Sequence, residues 1–240
     1  MRLASVLVTV GVVLAPSPAA SAAVPVAPTP TAVAKYRFET AVDSGDSVED
    51  LSGWHHPLRL RTAEGGRVRS VAHRDGYAAG FPAPCRTGAA CPRAVLEAAD
   101  APSLRPGLRR LRFAASVAAL PSAVGDGAVV LSKGDGPGRY ELRLGAAGKP
   151  NCVIADQSGA VVLARSTTPV IDGQWHRIVC TRTTTALTVV VDGVKVGSAL
   201  VPAATNIGAD APLRVGASDL SGRSERFGGA LDDVVVVVGG

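Results

Sequence analysis

The stretch Asp172-Gly-Gln-Trp-His-Arg-Ile-Val-Cys180, running on to Val190-Val-Asp-Gly-Val-Lys-Val196, constrains the fold most. Asp192-Gly193 sits between two apolar-rich runs. A two-residue hairpin loop of type I′ needs positive φ at both positions, and an Asp-Gly pair supplies it. The stretch therefore predicts three short β-strands joined by tight turns, with Trp175 anchoring the first.

The rest of the chain repeats this rhythm. Tyr36–Phe38, Leu58–Arg61, Gly76–Phe81, Ala94–Glu97, Leu111–Leu120, Ala128–Leu131, Tyr140–Leu144, Cys152–Ala155, Ala160–Leu163, Leu213–Val215 and Phe227–Val238 all read as strands. Turn signals separate them at intervals of about 8–12 residues, and no segment sustains a helical period. The 27 Gly and 17 Pro serve as turn punctuation, and with only 4% aromatic residues the core must be built from Val, Leu and Ala. Two stacked antiparallel sheets, an all-β jelly-roll sandwich, accommodate so many strands with few exposed edges.

Residues 1–22 read as a secretory signal peptide. Arg2 is the basic start, Leu3–Leu14 the apolar run, and Ala20-Ser21-Ala22 a small-residue cleavage site. That run is too short to span a bilayer, so the expected product is exported and released, with no membrane span. Residues 23–34 form a Pro-rich spacer, and the folded domain is expected over 35–240.

Four cysteines in an exported chain imply two disulfides, with three possible connectivities. Cys85 and Cys91 are close in one Pro- and Gly-containing loop, so local pairing is the simplest; it leaves Cys152 with Cys180. Chain entropy gives about 3.5 kcal/mol for the longer loop and about 2.4 kcal/mol for the shorter. No C-x-x-C spacing supports a redox or metal role.

The net charge of +5 rests largely on arginine, since Lys35, Lys133, Lys149 and Lys195 are the only lysines. A mildly basic surface accounts for this. Arg105, Arg109, Arg110 and Arg112 cluster in sequence, but only Phe113 accompanies them, so nucleic acid is not an expected partner.

These residues carry a family resemblance. Asp172–Cys180 with Val191-Asp-Gly-Val194 resembles the hairpin of laminin G-like domains in the concanavalin A-like jelly-roll superfamily. Tyr36-Arg-Phe-Glu39, Asp50-Leu-Ser-Gly53, Val130-Leu-Ser-Lys-Gly134, Pro212-Leu-Arg-Val-Gly216 and Phe227-Gly-Gly-Ala-Leu-Asp-Asp-Val234 resemble further family motifs, in the right order, over about residues 35–238. Trp54-His55 departs from the family's Asn-Gly at the early loop. The resemblance implies a two-sheet sandwich that binds extracellular carbohydrate or protein without catalysis; a monomer is the expected state. It also implies a possible structural calcium ion held by an early-loop aspartate and one of the closing pair, with Asp43, Asp46, Asp50 and Asp232 as candidates. Capping of turns by these aspartates is the preferred reading.

The alternatives are a divergent glycoside hydrolase on the same sandwich and a purely structural cell-surface module. Hydrolases on this sandwich carry acidic residues at alternate positions of one strand, where they share a face. Glu39, Glu97 and Glu141 each lack such a neighbour, and strand alternation puts Asp232 and Asp233 on opposite faces. No catalytic residue is therefore expected. An empty groove on the concave sheet face holding two carboxylates about 5–10 Å apart would revive the hydrolase; a Val- and Arg-lined face would not. For ligand binding the candidates are Trp54, His55 and His56, a loop trio able to form a stacking platform, with a lid over the core as the alternative role. His176 is read as a structural strand-start residue.

Overall fold

Apolar–polar alternation becomes sixteen strands in the computed structural model, which describes residues 31–39, 42, 47–85, 91–221 and 225–239. The predicted signal peptide, most of the spacer, and Asp43 and Asp46 lie outside the described residues. In chain order the strands are β1 (Ala32–Tyr36), β2 (Ser47–Val48), β3 (Leu58–Ala63), β4 (Arg69–His73), β5 (Gly76–Gly80) and β6 (Arg93–Ala98). Then come β7 (Leu111–Ala118), β8 (Gly127–Lys133), β9 (Tyr140–Gly145), β10 (Pro150–Ala155) and β11 (Val161–Arg165). The chain closes with β12 (Trp175–Arg182), β13 (Ala186–Val191), β14 (Val194–Leu200), β15 (Leu213–Val215) and β16 (Ala230–Val238).

They form two antiparallel sheets. One runs β14-β13-β12-β7-β16-β5-β4, with β1 also paired to β16; the other runs β11-β10-β9-β8-β15-β6-β3-β2. The expected jelly-roll sandwich is the observed architecture. Its core is mostly Val, Leu and Ala, with Phe113 and Tyr140 meeting from the two sheets at 5.2 Å between ring centroids.

The turn at Asp192-Gly193 has φ of 50° and 82°, as the type I′ reading required. His176 braces this hairpin, with Nδ1 2.7 Å from Asp192 and Nε2 3.0 Å from Asp172. Both expected disulfides are present. Cys85–Cys91 closes its loop, and Cys152–Cys180 joins β10 to β12, which ties one sheet to the other.

Two differences from the sequence reading matter. The first strand begins at Ala32, inside the expected spacer, because the second half of β16 needs a neighbour and Val33, Ala34 and Tyr36 bury against it. β4 was not anticipated at all. Its signal was the Asp75-Gly76 pair, for Arg74, at φ 51°, turns the chain from β4 into β5.

Lys133 ends β8, an interior strand of its sheet, and is buried. Its buried ammonium reaches Asp100 at 2.5 Å and the Ala209 carbonyl at 2.9 Å, and also bonds the Ala211 carbonyl. Burial pushes its pKa below the ordinary lysine value, against the opposing pull of Asp100.

Candidate functional site

Strand register assembles one face of the β7/β16 sheet into rows. Trp175, Ala118, Ala230, Gly80 and Arg69 lie side by side across five strands. The next row holds Arg177, Ser116 and Asp232, and the next Val179, Ala114, Val235 and Lys35. Thr181, Arg112 and Val237 make a fourth row. Residues two apart on a strand share a face, so these rows are one surface, turned away from the core.

Side-chain size shapes that surface. Ala114, Ser116 and Ala118 on β7, with Ala78 and Gly80 on β5 and Ala230 on β16, form a low floor. Larger side chains stand on either side, Trp175 and Arg177 on β12, and Arg69, Val71 and His73 on β4. A Cβ at Gly80 would come within 2.7 Å of Val71, so the floor is kept low by glycine there.

The rings of His73 and Trp175 stack across this floor, 3.8 Å apart and 19° from parallel. Four strand spacings separate β4 from β12, about 19 Å in a flat sheet. The rings meet because the sheet curves with this face on the inside. Depressions of about 660, 390 and 350 Å³ lie along the concave face. Arg69 and Gly80 line the first, Arg37 and Arg177 the second, and Arg110 and Arg112 the third.

Asp232 and Asp233 both belong to this face, which corrects the expectation that they point opposite ways. The β16–β7 register shifts between Asp232 and Val235, and Asp233 takes a left-handed φ of 49°. Such a bulge inserts an extra residue and breaks strict alternation. Asp232 accepts from His73 Nδ1 at 2.7 Å. Asp233 contacts Arg74 at 2.8 Å, Arg37 at 3.4 Å and Ser116 at 3.5 Å, while Arg177 donates to its carbonyl at 2.5 Å. Burial brings the Arg177 guanidinium below its ordinary pKa, with Asp233 opposing and Arg112 and Arg74 reinforcing.

The trio foreseen from the sequence lies elsewhere. Trp54 is 52% exposed, and His55 is exposed with φ 59°. His56 is half-buried, its Nε2 2.7 Å from Ser103 Oγ. His55 and His56 border a separate hollow of about 320 Å³ with Arg59, Arg61, Glu97 and Asp100. The turn carrying the trio is anchored to β1, since Leu51 N–H donates to the Lys35 carbonyl at 2.8 Å.

Asp50 organises that turn. One carboxylate oxygen accepts from Lys35 N at 2.9 Å and Ser52 N at 2.9 Å, the other from Ser52 Oγ at 2.8 Å and His56 N at 3.0 Å. Burial alone would raise its pKa, but the three backbone donors outweigh burial and bring it below the ordinary value. Asp50 and Asp232 thus face different partners, and among the described residues no three His, Cys, Asp or Glu side chains form a metal-sized cluster. Of the proposed calcium set, Asp43 and Asp46 lie outside the described residues, while Asp50 and Asp232 hold the protein partners given above.

His73, Ser116 and Asp233 were not foreseen as site residues, and Trp175 and Arg177 were read only as scaffold. Trp175 could have been placed outward from register, since its row alternates with buried Ile178 and Cys180.

A family model described as the concanavalin A-like lectin/glucanases superfamily, Laminin_G_3, matches residues 109–237. No curated protein gives a significant sequence match. Among solved structures, the binding domain of Paraclostridial Mosquitocidal Protein 1 superposes with a TM-score of 0.65 at 15% identity, covering 87% of this chain and 49% of that one. Domain 4 of AbnA, a GH43 extracellular arabinanase from Geobacillus stearothermophilus solved with arabinotriose, gives 0.64 at 17% identity, covering 88% and 93%. The binding domain of botulinum neurotoxin DC, solved with SialylT, gives 0.59 at 8% identity, covering 87% and 48%. The chain thus spans about half the length of the toxin binding domains it resembles. At these identities the likeness is one of fold, and the two toxin neighbours are binding domains.

Proposed function

Because the chain belongs to the concanavalin A-like lectin/glucanase superfamily, with its Laminin_G_3 match over more than half its length, we propose that it is an exported, non-catalytic module that binds extracellular carbohydrate on its concave face. The observation that carries this reading is the lining of that face. Val71, Val179, Val235 and Val237 alternate with arginines around the His73–Trp175 stack. A half-buried aromatic in a trough of small residues offers a sugar ring a flat apolar surface and leaves its hydroxyls to the polar rim.

Two further features support the reading. The adjacent aspartates of the face are already engaged, Asp232 by His73 and Asp233 by Arg74 and Arg37, whereas a glycosidase needs its pair free to flank the scissile bond. Two disulfides suit an oxidising compartment, and no helix among the described residues is long and apolar enough to cross a membrane.

A glycan array with purified protein tests the proposal, repeated with Trp175→Ala and Trp54→Ala. Binding lost in the first variant and kept in the second assigns recognition to the concave face. Binding lost only in the second moves it to the loop at Trp54–His56. Silence across the array, with a protein captured instead, refutes the carbohydrate reading.

A further inference from the structure

The two outer faces of the sandwich differ in how their charges are balanced. On the β8/β9 sheet most arginines are matched by acids, Arg59 and Arg165 being the exceptions among the described residues. Arg61 and Arg214 share Glu97, and Arg214 also pairs with Asp135. Arg139 and Arg143 share Glu141, and Arg143 also pairs with Glu225. That face is largely neutralised from within.

The concave face is not. Of its acids among the described residues, Asp232 and Asp233 are taken up by His73, Arg74 and Arg37, and Glu39 lies over Gly76 at the start of β5. Beyond those pairs, Arg67 and Arg69 line the first depression, Lys35 the second, and Arg110 and Arg112 the third. Among the described residues none of these five cations makes an ion pair, and the four arginines are exposed. Along β7 alone, from Arg112 to Ala118, the face extends about 20 Å. A curved surface with unmatched cations at intervals along its length focuses a positive potential into the trough.

From this surplus we infer that the ligand is an anionic polysaccharide, its carboxylate or sulfate groups received by the exposed arginines while its sugar rings pass over Trp175. The inference rests on the carbohydrate reading above and narrows it. A guanidinium presents parallel N–H donors that match the two oxygens of a carboxylate or sulfate, which suits this role better than lysine would. Charge complementarity with cations set at intervals along one face favours an anionic chain over a neutral glycan. A polymer is favoured over a single acidic sugar because the cations lie in three successive depressions.

The test titrates the full chain by calorimetry with polygalacturonate, dextran sulfate, uncharged dextran and arabinan, and duplex DNA, at low and at raised salt. Binding to polygalacturonate or dextran sulfate that weakens with salt is expected, and the stronger of the two identifies the acid group. Arg69→Gln/Arg112→Gln removes two cations that hold no native ion pair, so the fold is left intact. This variant should lower affinity roughly five- to tenfold. Arg59→Gln/Arg61→Gln, on the other sheet, should leave affinity unchanged. If uncharged dextran or arabinan binds equally well and Arg69→Gln/Arg112→Gln has no effect, the anionic inference falls while the carbohydrate reading stands. If no polysaccharide binds, both fall. Preferential binding of DNA, or an affinity loss confined to the Arg59/Arg61 variant, also overturns the inference.

Discussion

Removing the Asp50 carboxylate tests the turn on which the Trp54 loop depends. Asp50 is 5% exposed, and its carboxylate accepts four hydrogen bonds, three from backbone N–H groups. Asp50→Ala leaves those donors without their acceptor. A bond to a charged group contributes about 1.5–3 kcal/mol, and unsatisfied buried donors cost more than the bond itself returned. Water reaches some of them once the side chain is gone, so a net loss of about 3 kcal/mol is reasonable. For a chain of this size that corresponds to a fall in Tm of roughly 6–12 °C. Asp50→Asn keeps one acceptor oxygen and should fall between.

Acid should reproduce the effect in the native protein. Asp50 has a folded pKa below its unfolded value of 3.8. Its contribution is fully present above that unfolded value and is lost as pH falls through the folded one. The gap in Tm between native protein and Asp50→Ala should therefore be constant near neutrality and close below about pH 4. Calorimetry at several pH values, with and without chelator and added calcium, measures this. An Asp50→Ala variant melting with the native protein would refute the capping argument. A native Tm lowered by chelator and restored by calcium would show that a metal holds the early loop instead.

Three further outcomes follow from the geometry. Unreduced protein denatured in a thiol assay should show no free thiol, and Cys152→Ala/Cys180→Ala should lose about 2–5 kcal/mol by denaturant unfolding because the inter-sheet tie is gone. His176 has its pKa raised above 6.5, since its bonds to Asp192 and Asp172 outweigh burial, which alone would lower it. Its stabilisation is therefore full below pH 6.5 and fades as pH rises through the folded value, so His176→Ala should flatten the stability profile around neutrality. Reducing-sugar assays on polysaccharides should show no release by native protein or by Asp232→Asn; release abolished by that substitution would restore the hydrolase alternative.

The sandwich, the Asp192-Gly193 hairpin and both disulfides were legible because each rests on local pattern or on a small number of pairings. The concave face was not legible for the opposite reason. His73 and Trp175 are about a hundred residues apart and meet only through sheet order and curvature, which no local pattern encodes. Period-two logic failed at Asp232-Asp233 because a bulge adds a residue on one strand without a sequence mark stronger than the pair itself. Trp54 drew notice as an aromatic in a loop, while Trp175, inside an obvious strand, was taken for scaffold.

The partnership of β1 with β16 sets the order in which the molecule is completed. Lys35 pairs with Val235, so this ladder closes a loop of some two hundred residues. β16 also carries β7 along one side and β5 on the other, so it is the seam of its sheet. While the chain is being made, β7 and β12 can pair, but β1 and the β4–β5 hairpin have no strand to join until β16 emerges. Contacts so distant make folding slow. Until then the waiting half-sheet holds unpaired edges, and the tie from Cys152 to Cys180 can form before it closes.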